Sequence, residues 1–301
     1  MKQKDPATKN QKYLAVFLAL TMLLSAGAVF FSSNSNKDNS DDASSSKTIE
    51  DNTTIAFSQI PSRQVHHEFN SIADGLNMSP EGVVSATYVD LQRTTGTPFE
   101  QVFGNTSMMY SLYGADVTRR YGAVYADGNG FELHQIPEQK ILMPWGAVQY
   151  DNYSLLARTN NTHDIWNVAG SPVILSSRQS AQDIIDILEG NATATTEYDS
   201  LLSQADPKGS FYQEVVTKTN STNIPAEKLY TELKKLDDGS YKQTSLYLNP
   251  EPEFVENLQA LQVNSTERGV TYNVTTSENI TKMTITSDFG NLLNETQRLS
   301  Q

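Results

Sequence analysis

Residues 121–136, YGAVYADGNGFELHQI, decide the fold class of this 301-residue chain. Two apolar-rich runs, 121–126 and 131–136, flank Asp127-Gly128-Asn129-Gly130. Gly and Asn tolerate the positive φ that a tight reversal between antiparallel strands requires, so the segment reads as a β-hairpin. Strands joined by hairpins and mixed with helices indicate α+β rather than a doubly wound parallel sheet.

Outward from the hairpin, periodicity assigns the neighbouring elements. Before it, Val65, Phe69, Ile72 and Leu76 fall at spacings of four, three and four, which predicts a helix starting near Pro61. Residues 82–91 read as a strand, and 97–112 as a helix weakened by Gly104. After it come strands at 146–150 and 154–158, then an apolar strand at 172–176. A helix over 178–189 follows, with Ser176 and Gln179 as a capping pair and Gly190 as its stop. Residues 191–209 form a connector with a helical turn at Leu201 and Leu202.

Beyond the connector the pattern is strand 211–217, helix 225–236 with Leu229, Leu233 and Leu236 inward, and strand 241–248. Helix 250–262, strands 269–275 and 280–287, and a last helix capped by Asp288 complete the chain. Strand, helix, strand, strand, helix is the order of split β-α-β units. The expectation is therefore two ferredoxin-like extracytoplasmic domains, 56–195 and 209–301.

Residues 13–31, YLAVFLALTMLLSAGAVFF, carry no charge. Nineteen helical residues span roughly 28 Å at 1.5 Å each, close to the hydrocarbon thickness of a bilayer. Lys2, Lys4, Lys9 and Lys12 precede the run, which places residues 1–12 in the cytoplasm and the remainder outside. Ala26-Gly27-Ala28 has the form of a cleavage site, but the apolar run continues through Phe31, so a retained single-pass anchor is favoured over a cleaved signal. Residues 32–55 are polar and without period, the composition of a disordered linker.

Removing residues 1–31 leaves 18 basic and 34 acidic side chains, a net charge of −16. Such a surface repels nucleic acid and anionic headgroups, which excludes both as partners. The chain has no Cys, so no disulfide framework and no lipid-modified amino-terminal Cys. Glycosylation sequons occur at Asn52, Asn105, Asn152, Asn160, Asn191, Asn220, Asn264, Asn273, Asn279 and Asn294, and at Asn77, where Pro80 follows the acceptor triplet. None precedes the apolar run. Anchor, linker and sequon richness together resemble the anchored exported proteins of methanogenic archaea, a likeness that implies a surface glycoprotein and carries no activity.

Chemistry-bearing motifs are weak. His66 and His67 adjoin Glu68, but successive helical residues point about 100° apart, which disfavours joint ligation of one ion. His67, Ser71 and Asp74 would share a helix face, the thinnest of metal sites and better read as a solvated surface. His134 on the hairpin and His163 in a polar loop have no sequence neighbour that suggests ligation. The carboxylate pairs Asp183/Asp186 and Glu251/Glu253 are unremarkable in an acidic chain. Met143-Pro144-Trp145-Gly146 and Trp166 suit ligand stacking, yet core packing is the stronger reading for both. Tyr110, Tyr113, Tyr121, Tyr125, Tyr150 and Tyr153 read as sheet faces.

No catalytic, cofactor-binding or metal residue is therefore assigned and no cofactor is implied. The expected role is non-enzymatic: a membrane-anchored cell-surface protein that binds a protein or small-molecule ligand, or serves the envelope. An envelope hydrolase with a dispersed active site, or an accessory subunit of a membrane complex, is the alternative.

Overall fold

The computed structural model describes residues 54–103, 107–158, 164–220 and 224–299. Residues 13–31 lie outside these. Among the described residues no helix is long and apolar enough to cross a membrane, which leaves strand-based crossing unaddressed.

The described residues form a mixed α/β structure. Strands β1 (Thr54–Ala56) and β2 (Val65–His66) precede helix α1 (Ile72–Leu76) and strand β3 (Val83–Asp90). Short helices α2 (Leu91–Thr94), α3 (Glu100–Phe103) and α4 (Ser107–Tyr113) lead to the hairpin, β4 (Arg119–Tyr125) and β5 (Gly130–Gln135). Then follow β6 (Lys140–Leu142), β7 (Gly146–Tyr150), β8 (Tyr153–Ala157), β9 (Trp166–Val168), β10 (Gly170–Ser171) and β11 (Val173–Ser176). Helices α5 (Arg178–Leu188) and α6 (Asp199–Leu202) precede β12 (Ser210–Thr217), β13 (Lys228–Lys235) and β14 (Tyr241–Leu248). Helix α7 (Pro252–Gln262), β15 (Thr271–Ser277), β16 (Ile280–Ser287) and α8 (Phe289–Arg298) end the chain.

Twelve strands make one sheet in the order β15-β16-β14-β13-β12-β3-β4-β5-β11-β9-β8-β7, antiparallel throughout. The hairpin closes as expected, Val124 opposite Gly130, with Asp127 accepting the Asn129 N–H at 2.9 Å. Side chains alternate between two buried faces. One face sets Tyr88, Tyr121, Leu133, Leu155 and Ile174 against α1, α5 and α6. The other carries two clusters, one around Phe99, Phe211, Leu258 and Leu292, the second around Phe57, Tyr113, Ile136 and Leu156.

Two expectations for the carboxy-terminal half are corrected. Residues 225–236 are not a helix: β13 pairs with β12 on one side and β14 on the other. Leu229 and Leu233 satisfy a period of two as well as four, and two hydrogen-bonded neighbours select the strand. The ferredoxin-like order disappears with that helix, because β12, β13 and β14 form a meander. The sheet also runs unbroken from one half to the other, since β3 pairs with β12 from Val89/Tyr212 to Ser85/Val216.

The first helix also begins eleven residues late. Val65 and His66 instead pair in parallel with Gly170 and Ser171, and the helix starts at Ile72. Ser71 caps it, accepting from the Asp74 N–H while Asp74 accepts the Ser71 N–H at 2.9 Å, a capping box legible as S-x-x-D. Helix α5 is capped by Ser177 rather than Ser176. The proposed 97–112 helix is represented by α3 and α4, on either side of residues 104–106, which are not described.

Gly75 locks α1 to the sheet. A Cβ there would stand 2.3 Å from Tyr121 Cδ2, and the same turn is tied down by Ser79, whose hydroxyl donates to Gly75 O at 2.8 Å and lies 2.7 Å from the Tyr121 hydroxyl. Gly75→Ala is expected to destabilise the fold by about 1–3 kcal/mol through overpacking. Urea unfolding followed by circular dichroism checks this; an unchanged midpoint would mean that α1 is free to move off the sheet.

Candidate functional site

Parallel pairing of β2 with β10 brings residues 62–66 alongside the β7–β8 hairpin, where Arg63 N–H donates to Asn152 O at 2.8 Å. A cleft of about 460 Å³ opens there, lined by Ser62, Arg63, Gln64, His66, Tyr153 and Leu188. Arg63 Nη1 meets Glu189 Oε2 at 2.5 Å, and its guanidinium lies 5.5 Å from the centre of the Tyr153 ring. Tyr153 donates its hydroxyl to the other oxygen of Glu189 at 2.7 Å. Burial and then this carboxylate push the Tyr153 phenol up to about 12, so it remains a donor. On the same helix end, Tyr150 donates to Asp186 at 3.0 Å.

This wall offers hydroxyl, guanidinium and imidazole groups to a polar ligand. Its hydroxyl–carboxylate pair, Tyr153 with Glu189, keeps the phenol protonated. The Arg63–Glu189 pair is exposed on its Arg side and adds little to stability.

A second polar cluster is sealed inside the opposite face of the sheet. Arg120 donates Nε–H to Glu132 at 3.2 Å, His134 Nε2 lies 2.8 Å from Glu132 Oε2, and His134 Nδ1 lies 2.6 Å from the Tyr113 hydroxyl. Burial pushes the Glu132 carboxyl up, but Arg120 and the hydrogen bond from His134 outweigh it and hold it at about 2. Burial lowers the pKa of His134, partly opposed by Glu132. A neutral His134 thus donates from Nε2 to Glu132 and accepts at Nδ1 from Tyr113, whose own pKa burial raises. Carboxylate, imidazole and hydroxyl are the parts of a nucleophile relay, yet His134 and Tyr113 are fully buried. The phenol stays protonated, so the chain works as a structural ladder.

Near it, Arg158 donates Nη2–H to Leu142 O at 2.8 Å while its Nε and Nη1 have no hydrogen-bond partner. Asn167 donates to Ile174 O at 2.9 Å.

The residues singled out in the sequence separate cleanly. His66 lines the cleft, His67 Nδ1 contacts Glu68 O at 2.7 Å, and Ser71 with Asp74 is consumed by the helix cap. His163 lies outside the described residues. Among the described residues no three His, Cys, Asp or Glu gather as a metal site. Asp183 accepts from Gln179, Asp186 from Tyr150, and Glu251 from Lys218.

The two tryptophans part company. Trp166 is core, its Nε1–H on Asp164 at 2.6 Å, whereas Trp145 is 75% exposed, against the expectation of core packing. Of the acceptor asparagines, 52, 105 and 160 lie outside the described residues. Asn152, Asn191, Asn220, Asn264, Asn273, Asn279 and Asn294 are all exposed, as is Asn77. The buried ladder was partly legible: a hairpin closed at residues 127–130 puts Arg120 opposite His134, and Glu132 two residues before His134 shares its face. Tyr113, read in the sequence as part of a sheet face, instead comes from α4.

Residues 68–189 match a family model, AF_2048_N, a family N-terminal domain. The matched segment holds the buried ladder, Tyr153 and Glu189, and stops short of Arg63 and His66 on its amino-terminal side. No curated protein matches. Among solved structures, crystal form III of TP0453 is similar at 10% identity and a TM-score of 0.46, covering 73% of this chain and 96% of that one. Crystal form I gives 11% and 0.44, covering 74% and 96%, and crystal form IV gives 9% and 0.44, covering 73% and 95%.

Two buried carboxyls give opposite pH dependences. Glu132 is lowered in the fold from 4.5 to about 2, so its stabilisation is present above pH 4.5 and fades as pH falls towards 2. Glu214, on β12, is raised by burial to about 7, with one oxygen lacking a donor. Its contribution is therefore complete below pH 4.5 and lost as pH rises through 7. Glu132→Gln should cost about 3 kcal/mol at neutral pH, the lower end for breaking a buried ion pair, because Arg120 is partly exposed. Glu214→Gln should instead stabilise the protein above pH 7 and leave it nearly unchanged below pH 4.5. Urea midpoints across the pH range read both, and equal effects of the two substitutions at pH 8 would contradict this assignment.

Proposed function

We propose that this chain is a membrane-anchored, extracytoplasmic surface protein whose α/β module binds a polar ligand without transforming it. The observation that carries the binding role is the cleft lined by Arg63, His66 and Tyr153, with Arg63 and Tyr153 held in place by Glu189. Its hydrogen-bonding groups face an opening of about 460 Å³, while the triad-like Glu132–His134–Tyr113 chain is closed to any substrate. A cleft with one guanidinium, an imidazole and hydroxyls suits a neutral or singly anionic polar ligand, and Glu189 behind Arg63 and Tyr153 disfavours a polyanion.

The address rests on the charge-free run 13–31 with four Lys ahead of it and on the acceptor sequons that follow. The exposed positions of the seven predicted acceptors described here support N-glycosylation of the module. Residues 1–12 are then cytoplasmic, 13–31 span the bilayer and 32–53 link the span to β1, which takes the last two residues of the expected 32–55 linker into the fold.

In cells carrying a carboxy-terminal tag, protease added outside should remove the tag while the cells stay intact. Asn→Gln at Asn152, Asn191, Asn220, Asn264, Asn273, Asn279 or Asn294 should each increase electrophoretic mobility by one glycan step. A tag protected until lysis, or a full-length product in the soluble cytosolic fraction, would refute the surface reading.

A further inference from the structure

Four large apolar side chains are prominently exposed among the described residues, and three of them belong to one corner. Tyr110 is 47% exposed, Met143 60% and Trp145 75%; the fourth, Val263, closes α7 in the other half. Tyr110 lies on α4, which packs against β6, while Met143 and Trp145 sit in the turn from β6 to β7.

The same corner is where the described chain begins. Thr54 pairs with Leu142 in the β1–β6 ladder, one residue before Met143. Gly114, immediately after α4, is wedged between the two: a Cβ on it would stand 2.8 Å from Thr54 Cγ2 and 3.1 Å from Leu142 Cδ2. Gly114 N–H also bonds Tyr110 O at 2.6 Å. The turn itself is held from beneath. Buried Arg158 donates to Leu142 O at 2.8 Å, and Trp145 N–H bonds Ala157 O at 3.0 Å.

We propose that Tyr110, Met143 and Trp145 form a lipid-contact surface that seats the module on the zwitterionic bilayer through which the chain is anchored. The inference rests on the anchoring reading above and extends it. The 22 residues between Phe31 and Thr54 join the proposed anchor to the fold at this corner, which brings it to the membrane more readily than any other part of the module. Trp and Tyr favour the headgroup level, where the ring is withdrawn from water and the polar edge stays hydrated.

Charge selects the lipid class. Lys140 on β6 pairs with Glu138 at 2.7 Å, so the ladder beside the apolar corner brings no excess of cations. A polybasic patch would be needed to favour anionic lipid, and a net charge of −16 beyond residue 31 opposes it. Apolar contact with uncharged-surface lipid is what remains.

The chain contains two tryptophans, and Trp166 is buried, so the difference between wild type and Trp145→Phe isolates the Trp145 emission. The full chain is reconstituted in phosphatidylcholine vesicles, with and without phosphatidylcholine brominated in the upper acyl chain. Brominated lipid should remove roughly half of the Trp145 emission, and aqueous iodide should act about threefold less on it than on a free indole in solution. Tyr110→Ser with Met143→Ser should restore iodide access without loss of the folded circular dichroism spectrum. Trp145 open to iodide and untouched by bromide overturns the contact while leaving the anchor intact. Shielding from both quenchers also overturns it, since protein would then be the cover. A chain that fails to float with the vesicles refutes the anchoring reading, and this one with it.

Discussion

The ladder between β3 and β12 is the constraint on which the rest of the structure depends. Without it the twelve-stranded sheet would be two, each with an open interior edge of unpaired N–H and C=O groups. With it, strands separated by more than a hundred residues share one ladder, and both faces must be covered along the whole width. The chain meets that demand by placing α1, α5 and α6 on one face and α3, α7 and α8 on the other. Phe99 and Phe103 belong to the first half in sequence, yet they pack against Phe211, Tyr212, Tyr241 and Phe289 from the second. The seam is thus reinforced by aromatic burial beyond its backbone hydrogen bonds.

Polar groups trapped by this arrangement fare differently according to their neighbours. Glu132 is buried as deeply as Glu214, but Arg120 and His134 turn burial into a satisfied network. Glu214 has no cation beside it, and burial dominates. The distinction is local: the β4–β5 hairpin places Arg120 and Glu132 within reach on one face. Similar reasoning applies to Glu232, which accepts from Tyr230 at 2.8 Å and lies 3.5 Å from Lys234 on its own strand. Buried charge is tolerated in this sheet where a partner two residues away or directly across the ladder can answer it.

Local chemistry made much of the fold legible, and long-range pairing accounts for what was missed. The Asp127–Gly130 turn and the Asp288 cap each act within a few residues, and the structure shows both at work, whereas the Ser71 capping box was passed over in favour of a helix start at Pro61. Residues 225–236 fit a helix and a strand alike, because Leu229 and Leu233 are four apart; only β12 and β14 decide between them. Val65 carried the same ambiguity, resolved by β10 more than a hundred residues later. The cleft was less legible still. Arg63, Tyr153 and Glu189 are each ordinary residues in sequence, and their convergence follows from the β2–β10 pairing and the end of α5.

An open twelve-stranded sheet leaves two terminal strands, and their protection connects fold to address. At one end β15 exposes Thr271, Asn273, Thr275 and Ser277 along one side, with acceptor sequons at Asn273 within it and Asn279 at its turn. At the other end β7 is followed by Asn152 in its hairpin turn, and Trp145 stands at its start. Bare strand edges invite pairing with other chains, a hazard that short edges, bulky substituents or covering partners suppress. A glycan on Asn273 or Asn152 would obstruct such pairing by bulk alone, and a bilayer beneath Trp145 would occlude the beginning of β7. Glycans and membrane would then do for this sheet what an additional covering helix does in other folds.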